Sequence, residues 1–311
     1  MLWFIICAAV LLLIVLIGAF FCYRLVFYNA NIVEHDPYVI PPGEQYAQKA
    51  EQLLKAIAVL DALPYQQVYT TSHDGIRLAA RYYHFYDDAP VQIQFHGYRS
   101  CALTDMCGGT LLAKKNGCNV LLVDQRAHGK SGGHTITFGI EERYDCLDWT
   151  NYVLKRFGSG TKIILLGLSM GAATVLMASE LPLPQNVVGI IADCPYTSPG
   201  EIIRSVCSSV KLPGGLLYPI IALSALLYGK MRIWRGNTVR AVANSDLPIL
   251  LFHGEDDRFV PCRMSKQIYS VKPDQVRLVT IPDAGHGLCY MLDPKRYEAE
   301  VQAYLKSVLC C

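Results

Sequence analysis

A serine hydroxyl attacks carbonyl carbon near neutral pH only when a base stands beside it and a third group orients that base. The stretch 162–171, KIILLGLSMG, presents a serine in a setting suited to such chemistry. An apolar run enters Gly167-Leu168-Ser169-Met170-Gly171, and the small-residue run AATVLMASE follows at once. Strand, G-x-S-x-G and helix in that order put the serine at the tip of a sharp, strained turn. Gly167 and Gly171 belong there because a Cβ would strike the neighbouring strand or helix. The competing reading is a glycine-lined junction with an inert serine. Partners elsewhere in the chain decide between the two.

Where a nucleophile sits on such a turn, its partners follow in the order serine, acid, histidine. The histidines after Ser169 are His253 and His286. His253 ends an apolar run, LLFHG, which suits a structural histidine. His286 lies in Asp283-Ala284-Gly285-His286-Gly287, a glycine-rich loop able to reach the serine, and is expected to be the general base. The acid is expected from HGEDDRFVP: Asp257 fits best, with Asp256 and Asp193 as alternatives and Asp246 and Glu255 further candidates. A developing oxyanion needs two backbone N–H donors. Met170, after the nucleophile, and Tyr98, in the His96-Gly97-Tyr98 turn after QIQF, are expected to supply them. His128 and His134 precede the serine, which is the wrong order for a base, and are read as loop-shaping.

These residues need elements that carry them to one place. Apolar strand-like runs at 91–95, 119–123, 162–168, 187–192, 248–252 and 276–281 alternate with helical stretches at about 103–115, 141–157, after Gly171, and 297–309. That alternation predicts a mostly parallel sheet covered on both faces. Two strands around Asp74-Gly75 form an antiparallel hairpin at one edge. In such sheets functional residues gather beyond the carboxyl ends of strands. His96, Asp124, Ser169, Asp193, Asp257 and His286 all fall there. Residues 196–245 interrupt the pattern with helical apolar stretches, read as a lid inserted between two strands. Its greasy residues either face a partly apolar substrate or pack on the body.

Residues 2–23 carry no charge and are long enough to cross a bilayer, which takes about 20 apolar residues. A basic leader and a cleavage motif are absent, which favours a signal anchor over a cleaved signal peptide. Arg24 on the C-terminal flank favours a cytoplasmic body. The expected organisation is an anchor at 1–28, a connector and helix at 29–65, and a catalytic body at 66–311. A net charge of +2 with no long basic run gives nucleic acid nothing to hold. The 12 cysteines are scattered without zinc-ligand spacing, and several fall in strands or helices, which leans towards reduced thiols. Cys310-Cys311 alone is poor evidence for lipidation, since no C-a-a-X pattern is present.

Taken together and in order, GLSMGA, HGY after a strand, DQRAHGKSGG, HGEDDRFVP and DAGHG resemble the α/β-hydrolase superfamily. The nearest likeness is to membrane-anchored esterase/lipase-like or serine-aminopeptidase-like hydrolases of bacterial type, over roughly 66–309. The resemblance implies an eight-stranded sheet, a Ser169–Asp257–His286 triad and no metal or organic cofactor. It lacks an HGGG-type oxyanion loop, which argues against that branch of lipases and esterases. The expected activity is serine hydrolysis of a small-molecule carboxylic ester through an acyl-enzyme. Peptidase, amidase or thioesterase activity is the alternative, and a non-catalytic membrane-tethered binding module the remote one.

Overall fold

The Ser72-His73-Asp74-Gly75 sequence turns the chain back on itself. Gly75 takes φ +85°, and the Ser72 amide donates to Ile76 O at 2.8 Å. The flanking strands β1 (Gln66–Thr71) and β2 (Arg77–Tyr83) pair antiparallel. In the computed structural model, which describes residues 1–30 and 36–310, further strands follow. They are β3 (Val91–Phe95), β4 (Asn119–Asp124), β5 (Ile163–Leu168), β6 (Val187–Asp193), β7 (Ile249–Gly254) and β8 (Val276–Ile281). They form one eight-stranded sheet in the order β1-β2-β4-β3-β5-β6-β7-β8. From β4 to β8 every neighbouring pair is parallel, so the sheet is mixed only at the hairpin edge, as the sequence implies.

Side chains alternate across the sheet with the strand period of two. Leu122, Ile164, Leu166, Ile191 and Leu250 face the helices Ala102–Lys115 and Pro294–Leu309. Leu121, Ile163, Leu165, Ile190 and Leu251 face Glu142–Phe157 and Met170–Ala178. Parallel strands buried on both faces read as unbroken apolar runs, which is why the central strands were legible as sequence.

The insertion between β6 and β7 is helical, with Pro199–Ser209, Gly214–Leu227 and Thr238–Ala243 as its main pieces. Ser198 caps the first of these by accepting from Glu201 N at 3.2 Å. The N-terminal helix Leu2–Val26 is long and apolar enough to cross a membrane, and most of its side chains are exposed. It packs along Gly214–Leu227. Its last turn is tied to the body by Tyr23 Oη and Thr135 Oγ1 at 2.7 Å. The connector's helix Ala50–Asp61 buries Leu53, Ile57 and Leu60 against Ala102–Lys115. Residues 31–35 of the expected connector, and Cys311 of the terminal pair, lie outside the described residues.

Candidate active site

Ser169 stands between β5 and the helix Met170–Ala178 with φ +53° and ψ −111°, a backbone state costly for a residue with a Cβ. The two glycines of the turn have no room for a side chain. A Cβ on Gly171 would fall 2.0 Å from Phe95 O, and one on Gly167 would fall 2.2 Å from Gly171 O. The Ser169 amide is fixed by Asp193 O at 2.8 Å.

Three loops then converge. His286, on the loop after β8, places Nε2 2.9 Å from Ser169 Oγ. Its Nδ1 lies 2.7 Å from Asp257 Oδ2. Asp257, on the loop after β7, is buried, and its Oδ1 accepts the Phe259 and Val260 amides at 2.9 and 2.8 Å. Burial pushes the Asp257 carboxyl up, but His286 and His253 beside it more than reverse this and hold it well below the usual carboxylate range. Burial alone would lower the His286 pKa; the Asp257 carboxylate overrides it and holds the imidazole above its ordinary 6.5. Ser169, His286 and Asp257 thus form one hydrogen-bonded line from three loops at the carboxyl end of the sheet.

The other acids stand elsewhere. Asp193 is buried among Cys289, Tyr297 and His253, and burial raises its pKa. Asp256 meets Gln45 and Arg258, Glu255 accepts from Thr280, and Asp246 accepts from Lys272.

Gly97 sits against the serine, where a Cβ would lie 3.6 Å from Ser169 Cβ. Its amide is held by Asp105 Oδ2 at 2.6 Å. The next amide, Tyr98 N, and Met170 N at the helix start donate to no acceptor among the described residues. His96 and His128 shape this loop from below. His96 lies 2.8 Å from Gly97 O through Nδ1 and accepts Gln125 N at 3.1 Å through Nε2. His128 lies 2.9 Å from Arg126 O and accepts Arg99 N at 3.0 Å. His134 is exposed, with Nδ1 3.2 Å from Asn29 O.

Several supporting residues carry no local sequence signal. Asp105 clamps the Gly97 amide and the Ser100 hydroxyl. His253 does more than fill the core: its Nε2 lies 3.3 Å from Asp257 Oδ2 and 2.8 Å from Val260 O. Tyr46 of the connector donates its hydroxyl to His286 O at 2.6 Å. Tyr46 and His286 stand 240 residues apart, so no local pattern links them, whereas Asp105 and His253 are close in sequence to their partners and are aimed at them by the turns of their loops.

A cavity of about 1010 Å³ opens beside Ser169 and His286, lined in part by Met106, Leu166, Leu288 and Met291. Its cover differs from the one expected. Among the described residues, none from the 196–245 insertion lines it, whereas connector residues such as Ile40, Pro42 and Tyr46 do. Part of the insertion's apolar surface packs on the body instead: Ile202, Ile221 and Ala225 join Met170, Met177 and Phe27 in one buried cluster.

Residues 95–300 match the alpha/beta hydrolase family. The protein YqkD of Bacillus subtilis is 27% identical over 62% of this chain and 63% of its own. YfhR of Escherichia coli K12 is 28% identical over 54% of this chain, which spans about half the length of that relative (53%). The esterase Pf2001 of Pyrococcus furiosus superposes with a TM-score of 0.66 at 24% identity, covering 87% of this chain and 98% of its own. Such neighbours share the fold. With the family match running from β3 into the last helix, the chain belongs to the alpha/beta hydrolase family.

Proposed function

We propose that the protein is a serine hydrolase that cleaves carboxylic esters through an acyl-enzyme. The observation that carries this reading is the line from Ser169 Oγ through His286 to Asp257, at 2.9 and 2.7 Å. Ser169 Oγ attacks the carbonyl carbon as His286 Nε2 takes its proton. The Tyr98 and Met170 amides hold the oxyanion. His286 then gives the proton to the departing alkoxide, leaving Ser169 acylated. Water, activated by the same imidazole, releases the acid and restores the serine. Asp257 keeps the Nδ1 proton in place and stabilises the charged imidazolium.

An ester is favoured because an alkoxide leaves more readily than an amine and because the cavity has apolar walls. The solved esterase Pf2001 supports the same choice by fold alone. The helix Leu2–Val26 serves in this reading as a bilayer anchor, with Arg24 at its cytoplasmic flank. A fluorophosphonate probe tests the nucleophile. Wild type is expected to be labelled and Ser169→Ala not, and equal labelling of both would refute the assignment. A panel of p-nitrophenyl esters against peptide amides then tests the substrate class.

A further inference from the structure

The 196–245 insertion is unusual in charge. Between Glu201 and Asp246 there is no acidic residue, while Arg204, Lys211, Lys230, Arg232, Arg235 and Arg240 all fall there. Arg204 and Arg240 have acidic partners, Glu201 and Glu180. Lys211, Lys230, Arg232 and Arg235 are exposed and make no ion pair among the described residues. Interleaved with them are exposed apolar side chains: Leu212, Leu216, Leu226, Leu227 and Trp234. The helix Gly214–Leu227 is itself almost wholly apolar, and only Gly214, Ile221, Ser224 and Ala225 are buried.

Its position gives the patch an address. The helix packs along Leu2–Val26, and its end is pinned there, with Tyr228 Oη donating to Leu16 O at 3.1 Å. The Tyr228 ring also meets Phe20 and Tyr23 at 5.5 and 6.0 Å. A bilayer core needs about 20 helical residues, so a span counted from Leu2 ends near Phe21. Leu16 lies five residues inside that limit, about 8 Å at roughly 1.5 Å per residue. The Tyr228 hydroxyl therefore reaches a depth within the roughly 5–10 Å to which interfacial amphipathic helices sink, and its ring, beside Phe20 and Tyr23, sets the end of the insertion's helix at the edge of the span.

We propose that the insertion is a second membrane-seated element: the 226–228 end of its apolar helix enters the leaflet beside the anchor, and its unpaired basic residues rest on anionic lipid headgroups. The proposal rests on the anchor reading of Leu2–Val26. It accounts for a cover-like insertion that does not line the cavity, since its greasy surface has lipid to face. It also brings the cavity to the bilayer. Tyr98 and Arg99, which line the cavity, hold the last turn of the anchor: Tyr98 Oη donates to Val26 O at 2.7 Å, and Arg99 Nη2 to Leu25 O and Tyr28 O at 2.8 Å. Acyl esters resident in the membrane are then the substrates nearest the serine.

The test uses the full chain in vesicles of phosphatidylcholine with phosphatidylglycerol. Leu226→Trp is placed in a Trp3→Phe, Trp234→Phe background, where Trp149 is fully buried and remains as a constant signal. Lipids brominated on the upper acyl carbons are expected to quench the added emission at least about twofold, as the depth of an interfacial helix requires. Tyr86→Trp in the same background, at the opposite end of the sheet, is expected to stay unquenched. Leu227→Trp is the second reporter, so a folding defect in one variant does not decide the outcome. Replacing phosphatidylglycerol by phosphatidylcholine, or introducing Lys211→Glu, Lys230→Glu and Arg232→Glu together, is expected to weaken the quenching. Quenching of Trp3, read in a Trp234→Phe variant that keeps it, without quenching at 226 or 227 would overturn the proposal and leave the anchor standing. Unquenched Trp3 would overturn both.

Discussion

Asp257→Asn tests the site most sharply, because the structure dictates how the amide must sit. Oδ1 accepts two backbone amides, from Phe259 at 2.9 Å and Val260 at 2.8 Å. An amide nitrogen in that place would set donor against donor twice, so the oxygen must stay there and the NH2 group must take the Oδ2 position. That position lies 2.7 Å from His286 Nδ1 and 3.3 Å from His253 Nε2. Facing a donor, His286 Nδ1 becomes an acceptor and the proton moves to Nε2. Nε2 then points an N–H at Ser169 Oγ and has no lone pair with which to take the serine's proton. A wrong tautomer of this kind costs about 10⁴-fold in kcat, roughly 5 kcal/mol at about 1.36 kcal/mol per tenfold. Shape and volume barely change, so thermal unfolding should stay close to wild type. Steady-state hydrolysis of a p-nitrophenyl ester reads kcat, with Asp193→Asn as the comparison. Asp193 does not touch His286 Nδ1, and its variant is expected to keep kcat within about tenfold of wild type. A wild-type-like Asp257→Asn, or a loss of about 10⁴-fold in Asp193→Asn instead, would refute the assignment of the acid.

Two further outcomes follow from the same geometry. His286 serves as a base only when neutral, and Asp257 holds its pKa above 6.5. The kcat/KM profile should therefore lose activity as pH falls through a midpoint above 6.5, and a midpoint at or below that value would contradict the pairing. Gly171→Ala drives a Cβ to 2.0 Å from the Phe95 carbonyl, a backbone atom that cannot swing away. It should cost about 3 kcal/mol or more and lower Tm by several degrees in a thermal melt, whereas Gly160→Ala, with open space around it, should not.

The order of elements and the strand-end positions of Ser169 and His286 were legible in the sequence because each rests on a short-range signal. Apolar strands buried on both faces are unbroken runs, and Gly167 and Gly171 mark a turn without room for a Cβ. The histidine and carboxylate loops follow strands in the order serine, acid, histidine. Which acid faces the imidazole was legible only as a ranking, Asp257 before Asp256 and Asp193, since all three stand at strand ends and a single peptide unit separates the first two. That choice belonged to the loop after β7, whose backbone turns Asp257 inward under the Phe259 and Val260 amides and leaves Asp256 to Gln45 and Arg258. The cover of the cavity was likewise a tertiary decision. Both the connector and the insertion carry apolar residues, and composition does not say which of them finds a partner. The insertion met the N-terminal helix across roughly 200 residues of sequence, so the connector walls the cavity and its Tyr46 steadies the loop that carries His286. Local sterics and hydrophobic period are written in the chain residue by residue; which apolar surface pairs with which is settled only when distant segments compete for the same neighbours.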